Sequence, residues 1–453
     1  MVEPQNDSGD RSKMGEIEAY LQAYLETGYF MGSVLVGLGG EVLFSKGYGM
    51  ANLEHNIPNI LQTKFRLGSV TKQFTATAIL KLQEQNLLDI NNSIATYLPD
   101  YPCGEQITVH HLLNHTAGIP NYTNFDDFST KKKLEIKLED LIASFKYLPL
   151  EFTPGEMFSY SNSGYLVLSK IIETVSNQSY ADYLQQYIFK PLGMKDSGYD
   201  CHETILLNRA AGYIFSGEEY QNADFLDMSF PSGAGALYST VDDIYTWERS
   251  LYTDAILNQS SRDTMFASTI KVPTDENELA YYGYGWFIDT QHNRRRISHG
   301  GGIDGFRTQF DRYPNEQIAI AILSNLQTSP AGKIGRDLAA ILWGESYELP
   351  QKRKAIEIDP TIYETYVGTY KFEPSSSLPP SVSDLIFTVT TKNRRIFTQL
   401  TGQEVVEIFP ESPTKFFLKF VDAQLTFVTN KENKVSQVIL HQNRKDTVLN
   451  RIN

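Results

Sequence analysis

The sequence predicts an α/β domain built on an antiparallel sheet with a helical insertion, followed by a small all-β barrel. Three observations carry this prediction. Strand-like runs stand near both ends of the first 345 residues, at 33–36 and 41–48 and again between 281 and 325. Between them, from about 92 to 205, lie helical and irregular stretches with little period-2 alternation. Beyond residue 360 the texture changes to short alternating runs separated by turn residues.

Taken in order, residues 16–26 (EIEAYLQAYLE) place apolar side chains at helical spacing. Gly37, Gly39 and Gly40 then separate the two strand-like runs, so a helix packed on a hairpin is expected. From Phe65, FRLGSVTKQFTATAILKLQEQ passes from a loop into an amphipathic helix with Phe74, Ala78, Ile79 and Leu82 on one face. The insertion follows, punctuated by Pro99, Pro102, Pro120, Pro149, Pro154 and Pro191. Strands are then expected at 281–289, 295–299, 305–313 and 317–325, and a helix at 331–344. Short connections between consecutive strands make the sheet antiparallel. The last region, with runs such as LIFTVTT, KFFLKF and LTFVTN, reads as a barrel or sandwich, and PSSSLPPSVS (374–383) as a loop.

A chain of 453 residues exceeds one typical domain of roughly 100–200 residues. The division expected is a disordered 1–14, a catalytic domain at 15–345, a linker at 346–359 and the barrel at 360–453. The net charge of −14 opposes binding to a phosphate backbone, which excludes nucleic acid as the expected partner. No apolar run approaches the roughly 20 residues that span a bilayer, and the N-terminus lacks the basic and apolar regions of a secretory signal, which leaves the compartment undetermined. Cys103 and Cys201 are too few for a disulfide scaffold, and no His, Cys or acidic spacing suggests a metal; no cofactor is expected.

A serine hydroxyl is a poor nucleophile at neutral pH and needs a base beside it, which a lysine three residues on along a helix supplies when its pKa is depressed. Ser69 and Lys72 have that spacing, but so do the matches starting at Ser129, Ser268 and Ser412. Ser69 alone follows a glycine and opens an amphipathic helix, where the free N–H groups and the dipole favour a developing oxyanion. The second element is Tyr160-Ser161-Asn162, whose tyrosine beside a lysine, held as phenolate or sharing its proton, is a candidate general base for Ser69 and later acid for the leaving group, and whose amide suits orienting Lys72 and holding a substrate amide. Tyr-x-Asn also occurs at Tyr122 and Tyr220. The third is His299-Gly300-Gly301-Gly302, where glycines at a strand end allow a substrate to lie along the edge facing backbone N–H groups; a plain hairpin turn is the competing reading. His115, in LLNHTAG, is read as structural because the serine already has its base.

The order and spacing of these elements, with FRLGSVTKQFTA, ITVHHLLNHTAGIP, PGEMFSYSNSGY and SHGGGIDGF around them, resemble the penicillin-recognising serine hydrolases. The likeness is to the branch of class C β-lactamases and D-alanyl-D-alanine peptidases and spans roughly residues 15–345. It implies a β-lactamase/transpeptidase-like fold with Ser69 as the acylated nucleophile, Lys72 and Tyr160 as the proton-handling pair and Asn162 as a positioning residue. It also implies an oxyanion hole from the backbone N–H groups of Ser69 and Gly302, and His299 in the place of a strand lysine. Lys-Thr-Gly is replaced here by His299-Gly300-Gly301, which offers a titrating imidazole instead of a fixed cation and resembles the family's D-aminopeptidases, amidases and esterases. The C-terminal region resembles a lipocalin-like domain. The expected function is a D-residue-directed peptidase or amidase of the DD-peptidase type acting on a peptide or small molecule, with carboxylesterase, weak β-lactamase and a non-catalytic penicillin sensor as alternatives. Assembly into a homo-oligomer stays open.

Overall fold

The computed structural model describes residues 7–273, 279–373, 385–401, 405–419, 423–432, 434–442 and 445–452. The loop expected at 374–383 lies outside them. The chain forms two compact units, one ending at Leu349 and one from Pro350 onward that also takes in Phe215–Tyr220.

The first unit opens with α1 (Asp7–Thr27), which starts upstream of the helical spacing read at 16–26. Ile17, Tyr20, Leu21 and Tyr24, spaced on one helical face, are fully buried, and once that anchored stretch is formed, extending it upstream adds one hydrogen bond per residue fixed. The hairpin β1 (Gly32–Leu38) and β2 (Glu41–Tyr48) follows. Next, α2 (Thr71–Glu84) is introduced by a 3-10 turn at Gly68–Val70. This helix is not amphipathic in its surroundings, because eleven of its fourteen residues are buried. Polar atoms on it find partners inside: Thr75 Oγ1 donates to Gly233 O at 2.7 Å, and Trp247 Nε1 donates to Gln73 Oε1 at 3.1 Å, while Gln73 Nε2 has no partner among the described residues.

The insertion contains α3 (Val109–Leu113) and α4 (Asn162–Ser176), and α5 (Val241–Ser250) follows it. The sheet resumes with β3 (Ile270–Val272), β4 (Ala280–Tyr282), β5 (Phe287–Gln291), β6 (Arg294–Ile303), β7 (Phe306–Tyr313) and β8 (Ile318–Ser324), and α6 (Ala331–Trp343) closes the unit. Eight antiparallel strands run in the order β3-β4-β5-β6-β7-β8-β1-β2. Thus β1 pairs with β8, nearly 300 residues away, through Gly32 opposite Ser324 to Leu38 opposite Ile318. Every residue of β8 is buried, which is why IAIAILS reads as a continuous apolar run. One face of the sheet carries α1 and α6 around Val34, Ile320, Ile322, Ile334 and Leu338; the other faces α2, α4 and α5.

Two strand expectations change. Residues 281–289 are not one strand but a tight turn between β4 and β5, because Gly285, at φ +79°, lets the turn press on α2; a Cβ there would lie 2.7 Å from Lys72 O. The strand expected to end at His299 continues to Ile303, since Gly300, Gly301 and Gly302 keep pairing with Gln309, Thr308 and Arg307. A glycine hairpin is therefore excluded there.

The second unit is a closed barrel of β9 (Gly368–Phe372), β10 (Ile386–Lys392), β11 (Arg395–Leu400), β12 (Val406–Pro410), β13 (Lys415–Phe417), β14 (Ala423–Thr429), β15 (Val435–Gln442) and β16 (Lys445–Arg451). Its interior is filled by side chains, with Tyr366 stacked on Phe427 at 4.1 Å between ring centres and Phe416 edge-on to Phe427 at 5.4 Å. It fits a lipocalin-like domain in architecture. Among the described residues, no helix is long and apolar enough to cross a membrane.

Candidate active site

Ser69 sits in the 3-10 turn ahead of α2, and Gly68 before it has φ +54°. A Cβ at Gly68 would stand 2.9 Å from Gly302 N, so only glycine lets the start of α2 lie against β6. Gly301 is equally confined: a Cβ there would meet Leu67 O at 2.0 Å and Thr308 Oγ1 at 2.2 Å. Thr308 Oγ1 donates to Leu67 O at 2.8 Å and ties β7 to the same turn. The glycine run thus brings the Gly302 backbone against the residue preceding Ser69.

Lys72, the second residue of α2, is fully buried. Its Nζ lies 3.0 Å from Ser69 Oγ, 2.8 Å from Asn162 Oδ1 and 2.8 Å from Ala234 O. Burial holds its pKa well below the ordinary lysine range, because the charged form loses its hydration. The three contacts fit a neutral amine. In that form the amide and carbonyl oxygens, which can only accept, take its two N–H bonds and the lone pair faces the one partner able to donate, the Ser69 hydroxyl.

Asn162 is the first residue of α4; its backbone N–H donates to Asn121 Oδ1 at 3.1 Å, and its Nδ2 to Thr123 Oγ1 at 3.4 Å. Tyr160 hydrogen-bonds Ser69, and the Lys72 ammonium position lies 4.9 Å from its ring centre. Burial pushes the Tyr160 hydroxyl above the ordinary phenol range, and the Ser69 contact only partly opposes this. Of the two forms the sequence left open, a resting phenolate is therefore disfavoured; Tyr160 stays a protonated donor.

His299 does not titrate near neutrality. Its pKa is lowered to about 3, by burial first and then by the Lys72 charge. Nδ1 lies 2.6 Å from Gly300 O, which can only accept, so the proton is on Nδ1 and Nε2 accepts from Tyr282 Oη at 3.0 Å. The ring packs against Phe287 at 5.1 Å and Tyr160 at 6.2 Å between centres. His115 stacks on Tyr160 at 4.3 Å, and its Nδ1 accepts the Ser161 N–H at 3.2 Å, while burial lowers its pKa well below the usual value.

Ser69, Lys72, Tyr160, Asn162, His299, Gly301 and Gly302 are therefore brought together from the turn opening α2, the segment entering α4, and β6. Ser129 and Ser268 are exposed elsewhere on the first unit, and Ser412 lies in the second. Sequence reasoning missed Ala234, whose carbonyl holds Lys72, and Tyr282. The small-residue run PSGAGALYST was the available signal for Ala234, and Ser232 there adopts φ +34°, a strained angle outside glycine.

A cavity of about 260 Å³ opens beside Ser69. Tyr122, Phe128, Leu226, Phe230, Pro231 and Ile303 form most of its wall, together with Asn162, Gly302 and Asp304. No Lys, Arg or His is among its described lining residues.

Comparison with known proteins agrees with the fold. The profile of the Beta-lactamase family matches residues 17–342, and that of a domain of unknown function, DUF3471, matches 352–451. Penicillin-binding protein 4* of Bacillus subtilis (strain 168) is 30% identical, over 95% of this chain and 97% of its own. The octameric penicillin-binding protein homologue from Pyrococcus abyssi superposes with a TM-score of 0.67 at 26% identity, covering 96% of this chain and 99% of that one. The D-amino acid amidase from Ochrobactrum anthropi SV3, complexed with L-phenylalanine amide, has a TM-score of 0.65 at 25% identity, covering 74% of this chain and 99% of its own.

Proposed function

The chain belongs to the Beta-lactamase family of penicillin-recognising serine hydrolases, and on that premise we propose that it cleaves amide or ester bonds through an acyl-enzyme on Ser69. The observation that carries the reading is the Lys72 amine, buried and lowered in pKa, held between two pure acceptors with its lone pair toward the Ser69 hydroxyl. Lys72 takes the Ser69 proton as Oγ bonds to the carbonyl carbon. The oxyanion is held by the backbone N–H groups of Ser69 and Gly302. As the C–N or C–O bond breaks, Tyr160 protonates the leaving group and regains its proton from Lys72. Water then attacks the ester by the same route, giving its proton to Lys72, and Ser69 leaves with a proton.

The substrate class is a D-residue-directed amide or peptide, supported by the likeness to the D-amino acid amidase and the penicillin-binding relatives. The cavity favours an apolar or aromatic acyl group. A carboxylesterase is the second reading, favoured by the same apolar walls. Lactam hydrolysis fits poorly, because a neutral His299 gives a substrate carboxylate no cation to pair with. Self-association is proposed on the octameric homologue alone.

Incubation with a fluorophosphonate followed by intact and peptide mass spectrometry tests the claim. One adduct on Ser69 is expected; folded protein that stays unlabelled overturns it. Relative rates on D- and L-aminoacyl amides, p-nitrophenyl esters and a chromogenic cephalosporin then separate the substrate readings.

A further inference from the structure

We infer that Asp304 binds a cationic amine on the acyl side of the substrate, so that the site selects acyl donors carrying a free ammonium beside the scissile carbonyl. This rests on the hydrolase reading of Ser69.

Asp304 is the one formally charged side chain in the cavity wall among the described residues. Its Oδ1 accepts from Lys132 Nζ at 2.6 Å, and Oδ2 takes no protein hydrogen bond among the described residues. A carboxylate has about four lone-pair sites, so one oxygen can hold Lys132 while the other receives a second ammonium. Lys132 fixes the carboxylate in place, with side chains 10% and 18% exposed in the pair, so little ordering remains when a ligand arrives.

The surrounding charge leaves room for a cation. Lys132 Nζ is also 3.9 Å from Asp224, Lys133 Nζ is 3.4 Å from Asp224, and Asp227 contacts the His202 imidazole at 3.2 Å. Lys132 is thus shared between Asp304 and Asp224. An entering ammonium can pair with Asp304, whereas a substrate carboxylate would meet it with no cation among the described wall residues.

Position along the chain agrees. Asp304 follows Gly302, the proposed oxyanion donor, by two residues, about 7 Å of extended chain. An α-ammonium is two bonds from the carbonyl carbon, so a carboxylate bonded to it stands about 5 Å from that carbon. A carbonyl seated at Gly302 therefore brings its α-amine within reach of Asp304 Oδ2. The side chain at the same α-carbon is left to the walls formed by Tyr122, Phe128 and Phe230.

The test compares a D-phenylalanyl p-nitroanilide bearing a free amine with its N-acetyl form, using the full chain, after Ser69 labelling by a fluorophosphonate has been measured. The free amine is expected to react about 10- to 100-fold faster in kcat/KM, the usual contribution of a charge-assisted hydrogen bond. The advantage is expected to shrink as pH rises through the amine pKa of about 8. Asp304→Asn is expected to bring the two substrates to similar kcat/KM through KM, and Asp304→Glu to restore part of the difference. A wild-type enzyme that labels at Ser69 but treats both forms alike, or prefers the acetylated one, overturns this inference alone. A preference that survives Asp304→Asn also overturns it. Absence of Ser69 labelling overturns the hydrolase reading instead.

Discussion

Replacing Lys72 by arginine separates a base from a mere positive charge. Arginine cannot be deprotonated in a protein, so it keeps a cation near Ser69 while removing the lone pair. In the structure Nζ has one partner able to give a proton, Ser69 Oγ at 3.0 Å, and its two other contacts are carbonyl oxygens at 2.8 Å. General-base catalysis contributes about 10²- to 10⁴-fold, or about 3–5 kcal/mol of barrier. Lys72→Arg and the near-isosteric Lys72→Met are therefore both expected to slow Ser69 acylation by about 10²- to 10⁴-fold. The guanidinium also overpacks a fully buried site, at a cost of about 1–3 kcal/mol, so circular dichroism accompanies each rate. Acylation is read as the rate of fluorophosphonate incorporation by intact mass. In the wild type that rate is expected to fall as pH drops through the Lys72 pKa, which burial places below the ordinary lysine range. A folded Lys72→Arg protein that acylates at close to the wild-type rate refutes the neutral-amine mechanism.

Three further outcomes follow from contacts in the first unit. Gly301→Ala puts a methyl 2.0 Å from Leu67 O, so a loss of about 1–3 kcal/mol in chemical denaturation is expected, together with slower labelling of Ser69. His299 and His115 are neutral in the fold with lowered pKa values, so below about pH 6.5 the unfolded chain takes up protons that the folded chain does not. Stability is thus fully present above that pH and falls by about 1.4 kcal/mol per pH unit for each histidine as pH drops from it toward the folded pKa. Urea midpoints at pH 7 and pH 5 check this, and nitrogen-15 spectra showing a titrating His299 between those values would refute the tautomer assignment. Arg312 Nε and Glu248 Oε2 form an ion pair at 2.5 Å with both side chains 2% exposed. Glu248→Gln is expected to cost about 3–5 kcal/mol in the same denaturation assay, whereas combining Glu248→Leu with Arg312→Met is expected to recover most of it.

The local signals in the sequence were strong where one segment carries its own constraint. IAIAILS announced a fully buried strand, and FRLGSVTKQF announced a helix opening at a serine after a glycine. The helical insertion and the many short C-terminal strands were legible from proline punctuation and alternation. Periodicity misjudged α2, because Lys72, Gln73 and Thr75 look solvent-facing until their hydrogen-bond partners at Ala234, Trp247 and Gly233, over 150 residues away, are known. It also misjudged the run at 300–302, because glycines end strands unless another backbone must lie where a side chain would be, as Leu67 O does at Gly301.

By itself the sequence determined the family, the antiparallel α/β plan with its appended barrel, and a candidate serine chosen from four equal spacings by its context. Only the tertiary structure decided protonation. Lys72 is lowered in pKa, Tyr160 is held as a phenol and His299 carries its proton on Nδ1, because burial removes the hydration that charged forms need and Gly300 O and Tyr282 Oη occupy the two ring nitrogens of His299. Desolvation depends on what surrounds a group in three dimensions, and no spacing along one chain records it.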